Sequence, residues 1–305
     1  MNILEFLKTE GVSDRIISDI SAFRSFYKLD KNDESRIPAP GYLYYGKEIW
    51  EEAAAAILSG ENILLDGEKA TGKNVLAQNL AIAFSRPQWD ISLYINTDAS
   101  SLIGADTFEN GEVKLRKGPI LNCALRGGFG VLDEINMAKN ESLAVLHAVL
   151  DFRRMIDLPG YDRITLHEAT RFIGTMNYGY AGTRDMNEAL ASRFMVIHMP
   201  VISQENLEKL IKDKYPDLKS EYLSQFASLF DEIRKKAEEG EISTKSLDLR
   251  GLISCIGMMK HGLSVTKALE MGLINKCFDI FERDLVSDIV NARLPQNILG
   301  ESIFS

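Results

Sequence analysis

Five short apolar runs, at positions 63–65, 91–95, 129–132, 172–176 and 195–199, alternate with stretches of helical period between positions 62 and 200. Strands separated by helices pair through crossovers, so this alternation predicts a parallel sheet with helices on its faces. The first run leads into Gly67-Glu68-Lys69-Ala70-Thr71-Gly72-Lys73-Asn74, and Val75, Leu76, Leu80, Ala83 and Phe84 follow at helical spacing. Strand, glycine-rich turn and helix start, in that order, form a phosphate-binding loop. Glycines let backbone N–H groups converge on a phosphate, the helix adds its positive end, and Lys73 supplies a point charge. The usual pattern places Ser or Thr after the lysine, where its hydroxyl ligates magnesium, but this chain has Asn74. A carboxamide oxygen suits that hard ion, although the longer side chain must fit a rigid octahedron, so slower turnover is expected.

The other runs also deliver chemistry at their carboxyl ends, where open α/β sheets bind ligands. The third ends in Asp133-Glu134: two adjacent acids can divide the tasks of holding hydrated magnesium and polarising an attacking water. The fourth ends in Thr175-Met176-Asn177, whose terminal amide can orient that water. Arg193 follows a helical stretch just ahead of the fifth run, where an arginine either complements the helix dipole or reaches a neighbouring subunit.

At 305 residues, with 45% hydrophobic and 26% charged, the chain has room for one large or two medium domains. Residues 1–40 are expected to form a helical extension ending in the linker Ile37-Pro38-Ala39-Pro40, residues 41–200 the α/β domain, and 201–305 a helical domain. No apolar run reaches the roughly 18 residues of a membrane helix, and the start lacks a signal-peptide pattern, so a cytoplasmic protein is expected. Cys123, Cys255 and Cys277 are widely spaced in apolar surroundings and are expected to be buried thiols. A net charge of −9 argues against a broadly basic nucleic-acid surface.

Taken together, the motifs resemble those of AAA+ ATPases. Gly67 to Asn74, with Val75 after them, look like the Walker A loop, Leu132-Asp133-Glu134-Ile135-Asn136 like Walker B, Asn177 like sensor 1, and Ser192-Arg193-Phe194 like an arginine finger. Within that family the chain is similar to the MoxR group, which includes nitric-oxide-reductase and Rubisco-activase-type chaperones working with von Willebrand factor A-domain partners. The resemblance covers about residues 42 to 300. It implies a P-loop three-layer αβα sandwich with a five-stranded parallel sheet and an all-α lid. It also implies ATP and Mg2+ as ligands, with Asn74 and Asp133 on the metal, and a homo-oligomeric, hexameric ring.

Two inserts support the subgroup. Residues 97–118 contain an Asn110-Gly111 turn between alternating residues and read as a hairpin; residues 153–168 turn at Pro159-Gly160 and read as a second. In the lid, Lys245 stands where relatives carry the sensor 2 arginine, and Arg250 competes for the role; Met137 replaces an arginine common after the Asn136 position. The expected function is remodelling or activation of a client protein, including metal or cofactor insertion. The alternatives are a component of a nucleic-acid-acting complex, through Lys114, Arg116 and Lys117, or a nucleotide-bound scaffold that hardly hydrolyses.

Overall fold

A computed structural model describes residues 2–39, 41–177, 186–244, 246–294 and 298–305. The chain divides into two compact units, one comprising Met1–Glu68 and Gly72–Pro200, the other Lys69–Thr71 and Val201–Ser305. In chain order, the strands of the first unit are β1 (Ile63–Asp66), β2 (Gln88–Ser92), β3 (Gly104–Glu109), β4 (Glu112–Lys117), β5 (Phe129–Asp133), β6 (Met155–Ile156), β7 (Ile164–Thr165), β8 (Arg171–Met176) and β9 (Met195–His198). Five of them form one sheet in the order β2-β5-β8-β1-β9, every pair parallel. β3–β4 and β6–β7 are separate antiparallel hairpins.

The sheet is covered on both faces, and the strand sequences show it. Ile63, Leu65, Val131, Ile173 and Ile197 enter one apolar cluster, whereas Leu64, Leu132 and Phe172 enter the other. Alternating residues thus serve opposite cores, which is why the strands read as continuous apolar runs rather than as polar–apolar alternation.

One expected strand is displaced. The run at 91–95 pairs over Gln88–Ser92, with Gln88 opposite Phe129 and Ile91 opposite Leu132. Beyond it the Tyr94 N–H donates to Thr97 Oγ1 at 2.9 Å and the Thr97 N–H to the Tyr94 carbonyl at 2.9 Å, closing a turn that leaves Tyr94 and Ile95 exposed. Polar Gln88 and Asp90, bonded to each other at 2.6 Å, dilute the apolar signal where the strand begins.

The first insert also differs in part. Residues Ala99–Ile103 form a helical turn capped by Asp98, whose carboxylate accepts from the Ser101 N–H at 2.6 Å. Strand pairing starts only at Gly104. From there the hairpin closes at Asn110 and Gly111, with φ of 53° and 84°, as a two-residue turn with both central residues left-handed requires. In the second insert, Met155 pairs with Thr165 and Ile156 with Ile164, and Gly160 turns at φ 83°. Tyr161 Oη donates to Asp106 Oδ1 at 2.5 Å, linking the two hairpins.

The amino-terminal segment is no detached preface. Helices Ile3–Thr9 and Asp14–Phe26 place Phe6, Leu7, Ile17, Ile20 and Phe23 in the same core as Trp50, Leu76, Leu80 and Phe84. Arg24 donates from Nε to the Ala83 carbonyl at 2.6 Å and from Nη2 to the Ile82 carbonyl at 2.9 Å, satisfying acceptors at the end of helix Lys73–Phe84. At the middle of that helix, buried Asn79 accepts from the Tyr44 N–H at 2.9 Å and donates to the Tyr42 carbonyl at 2.8 Å. Asn79→Ala is therefore expected to lower unfolding stability by about 2 kcal/mol, because the buried Tyr44 N–H loses its acceptor. Chemical denaturation beside wild type checks this.

In the second unit, helices Gln204–Lys214, Ser220–Glu238, Leu249–Lys260, Val265–Gly272 and Ile280–Arg293 enclose a core that includes Phe226, Phe230, Leu252, Ile256, Leu269 and Val286. All three cysteines are free and buried, and burial raises the Cys255 thiol to about 12. Among the described residues no helix is long and apolar enough to cross a membrane.

Candidate active site

The loop between β1 and helix Lys73–Phe84 takes its shape from two left-handed residues, Ala70 at φ 67° and Gly72 at φ 84°. Left-handed backbone beside right-handed backbone turns successive N–H groups inward, the concavity that binds a phosphate. Gly72 answers a second need, since a Cβ there would meet the Tyr44 ring at 3.1 Å. Glu68 and Lys69 are exposed, Gly67, Ala70 and Asn74 half-buried, and Thr71 buried. Val75, also half-buried, packs on the core beneath.

Lys73 is buried, and its Nζ donates to the carbonyls of Gly67 at 2.8 Å and Glu68 at 2.6 Å. Burial lowers its ammonium to about 8, against the opposing pull of Asp66, Asp133, Glu134 and Glu68. The loop after β1 and the end of β5 thus bring Lys73, Asp133 and Glu134 into one electrostatic neighbourhood.

Thr175, a residue that the run-by-run reading passed over, ties that neighbourhood together. Its hydroxyl donates to Asp133 Oδ1 at 2.6 Å and accepts from the Glu134 N–H at 3.1 Å, joining the ends of β5 and β8. Asn136 adds a second tie, donating to the Asn177 carbonyl at 3.0 Å, while its own Oδ1 is buried without a hydrogen-bond partner among the described residues. Asn177 Nδ2 lies 3.5 Å from Glu134 Oε1, at the long limit of a hydrogen bond. Glu134 itself sits at φ 56°, left-handed and strained for a residue with a side chain. The strain is held by Thr175 on its N–H and by the Met137 N–H, which donates to its carbonyl at 2.9 Å. A fixed, exposed Glu134 beside an amide donor can accept a proton from a water and aim it.

Asp66, at the foot of the loop, is fully buried and bonded to His198 Nδ1 at 2.8 Å. The sequence signal for it was slight: a carboxylate ending the apolar run 63–65. A lone hydroxyl in the otherwise apolar strand 172–176 was the equivalent signal for Thr175.

Arg193 takes a different place. It follows helix Glu188–Ala191, donates from Nη1 to the Ala189 carbonyl, and has Nη2 3.8 Å from Asp151 Oδ2. Its Nε is buried with no hydrogen-bond partner among the described residues. These contacts are with its own helix and with Asp151 rather than with Lys73, Asp133 or Glu134. Arg250 is exposed at the start of helix Leu249–Lys260 in the second unit, and Lys245 lies outside the described residues.

Residues 62–194 match the AAA domain (dynein-related subfamily), a span that runs from the start of β1 through the loop, both carboxylates and Asn177 to just past Arg193. The protein YojN of Bacillus subtilis (strain 168) is 31% identical over 261 residues, covering 84% of this chain and 86% of that protein. The chain belongs to the dynein-related AAA family of ATPases. Two further relatives span it similarly: SSP1341 of Staphylococcus saprophyticus, 32% identical over 257 residues with 82% and 97% covered, and SERP0979 of Staphylococcus epidermidis, 32% over 250 residues with 79% and 94% covered. Membership of that family implies nucleotide binding.

The residues suit magnesium as well. Asp133 and Asn74 offer oxygen donors, and the Thr175 hydroxyl fixes one Asp133 oxygen while leaving the other available. Bound there, Mg2+ would neutralise charge on the phosphates.

Proposed function

We propose that this AAA domain binds ATP with Mg2+ and hydrolyses it to drive remodelling or activation of a partner protein, in the manner of the MoxR group. The observation that supports the reading is Thr175 bridging Asp133 and Glu134, with both carboxylates acting on the Lys73 ammonium, an arrangement suited to a metal ligand, a water-activating carboxylate and a phosphate-binding cation. Lys73 would hold the phosphates, Asp133 and Asn74 the metal, Glu134 and Asn177 the attacking water. Arg193 would complete the site of the next subunit in a homo-oligomeric, hexameric ring. Lys245 or Arg250 would report nucleotide state from the lid. A von Willebrand factor A-domain protein and a client protein, in the cytoplasm, are the partners this reading implies. It also treats residues 201–305 as the moving lid of the motor.

Asn74 favours a second reading, a scaffold that binds ATP and turns over little. The two separate on one substitution. Asn74→Thr, which restores a compact hydroxyl ligand, is expected to raise kcat by about three- to tenfold with little change in nucleotide affinity. A steady-state phosphate-release assay beside an equilibrium titration with a fluorescent ATP analogue reads both numbers. If Asn74→Thr releases phosphate no faster than wild type, Asn74 is not what limits the metal site, and the assignment of that residue to magnesium fails.

A further inference from the structure

The parallel sheet of the first unit ends at β9, and that edge is open. Among the described strands β9 pairs with β1 alone. The N–H groups of Met195 and Met199 donate towards β1, to the Asn62 and Asp66 carbonyls at 2.8 and 2.7 Å. A strand turns its backbone groups to either side with a period of two, so the N–H and C=O of Val196 and His198 point outward from the sheet. Edge strands are ordinarily blunted by charged residues, a proline or a covering loop. The sequence of β9, Met195 to His198, has no lysine, arginine, aspartate or glutamate, and Met195 and Val196 are 48% and 47% exposed. At the opposite edge of the sheet, by contrast, Arg36 from the amino-terminal segment lies 4.6 Å over the Trp89 ring of β2.

Helix Lys47–Leu58 packs beside β9, and where it passes the strand its side chains are small. Ala55, Ala56 and, just past the helix end, Ser59 leave a groove of about 400 Å3 beside Met195 and Val196. The backbone sets the class of occupant: outward N–H and C=O groups in strand register are completed by another extended chain, lying about 5 Å away. Charge narrows it further. Exposed Glu52 and Glu61 rim the groove, and among the described residues neither lysine nor arginine lines it. Arg171, whose charge acts on Glu61, is buried and donates to the carbonyls of Ile57, Glu168 and Thr170, while Arg193 leans on Asp151.

We propose that β9 and this groove bind an extended segment of a partner protein, apolar in its middle and flanked by lysine or arginine, which adds to the sheet as a new edge strand. Main-chain hydrogen bonds to Val196 and His198 supply affinity, and Glu52 and Glu61 select the basic flanks. The binding needs no hydrolysis, so it stands or falls apart from the ATPase reading.

Fluorescence anisotropy tests it, with the full chain titrated into a labelled octapeptide that has lysines at both ends and valine alternating with threonine between them. Saturable binding is expected, at least about tenfold weaker when glutamates replace the lysines or when alternate peptide N–H groups are methylated. Ala55→Arg, which puts a bulky cation in the groove from an exposed helix position, is expected to lose about tenfold or more. Glu52→Gln combined with Glu61→Gln should lose about three- to tenfold and flatten the salt dependence. All three positions are exposed, so thermal unfolding of these variants should match wild type. No saturable binding by wild type below about 1 mM, methylation without cost, or equal affinity of Ala55→Arg and wild type overturns the proposal. So does a wild-type dimer in sedimentation velocity that Ala55→Arg dissolves, because the occupant is then a second copy of this chain.

Discussion

Lys73→Met weakens nucleotide binding by about two to four orders of magnitude, because a charge-assisted contact is removed from a buried site at a cost of about 3–5 kcal/mol. Lys73 is buried, its Nζ held by the carbonyls of Gly67 and Glu68, so the cation is already at the loop before any phosphate arrives. Methionine keeps the apolar stem and the volume, and the two carbonyls it releases belong to half-buried Gly67 and exposed Glu68, where water can replace the lost donor, so the loss falls on binding more than on folding. Titration of a fluorescent ATP analogue measures it, with thermal unfolding as the control. The same residue sets a pH dependence. Its ammonium is lowered from 10.5 to about 8 by burial, so the empty protein gives up that proton as pH rises through about 8. Binding a polyanion requires the charged form, and the wild-type dissociation constant should therefore weaken above about pH 8, a trend absent from Lys73→Met. For the empty protein the sign is opposite. The folded state disfavours the cation, so Lys73 contributes a destabilisation that is complete below pH 8 and fades as pH rises towards 10.5.

Glu134→Gln should leave ATP bound and reduce hydrolysis by about 10²–10⁴, the usual contribution of a positioned general base. The substitution is close to isosteric and spares the local architecture. The bonds that hold the strained backbone at φ 56° run from the Glu134 N–H to Thr175 and from the Met137 N–H to the Glu134 carbonyl, and neither uses the side chain. Asn177 Nδ2 can still face an amide oxygen where it now faces Oε1 at 3.5 Å. Only the capacity to accept a proton is lost. Retention of unhydrolysed ATP after rapid gel filtration, quantified by nucleotide extraction, reads this directly.

Asp133, Glu134 and Asn177 were legible because each follows an apolar run, and Lys73 because a glycine-rich loop carries the first run into a helix; a parallel sheet gathers strand ends at one edge. Lys73, Asp133, Glu134 and Asn177 meet for that reason, and no long-range information was needed to place them. Residues acting through tertiary contacts were not legible. Thr175 lies inside a buried strand, where nothing local says that its hydroxyl reaches a carboxylate on the adjoining strand. Strand β2 begins in Gln88 and Asp90, whose mutual hydrogen bond hides a buried edge behind polar letters. The first 26 residues have amphipathic faces, but only the fold reveals that Phe23 packs on Phe84 with ring centroids 5.1 Å apart and that Arg24 closes the end of the phosphate-loop helix. Arg193 was read for where it could reach, whereas its present contacts are Asp151 and Ala189.

Phosphate release under saturating Mg·ATP, wild type beside Glu134→Gln at equal nucleotide occupancy, tests the hydrolytic site most directly. The arrangement of Lys73, Asp133, Thr175 and Glu134 predicts steady release by wild type and a rate at least about a hundredfold lower for Glu134→Gln. Equal rates in the two proteins, both loaded with ATP, would contradict it.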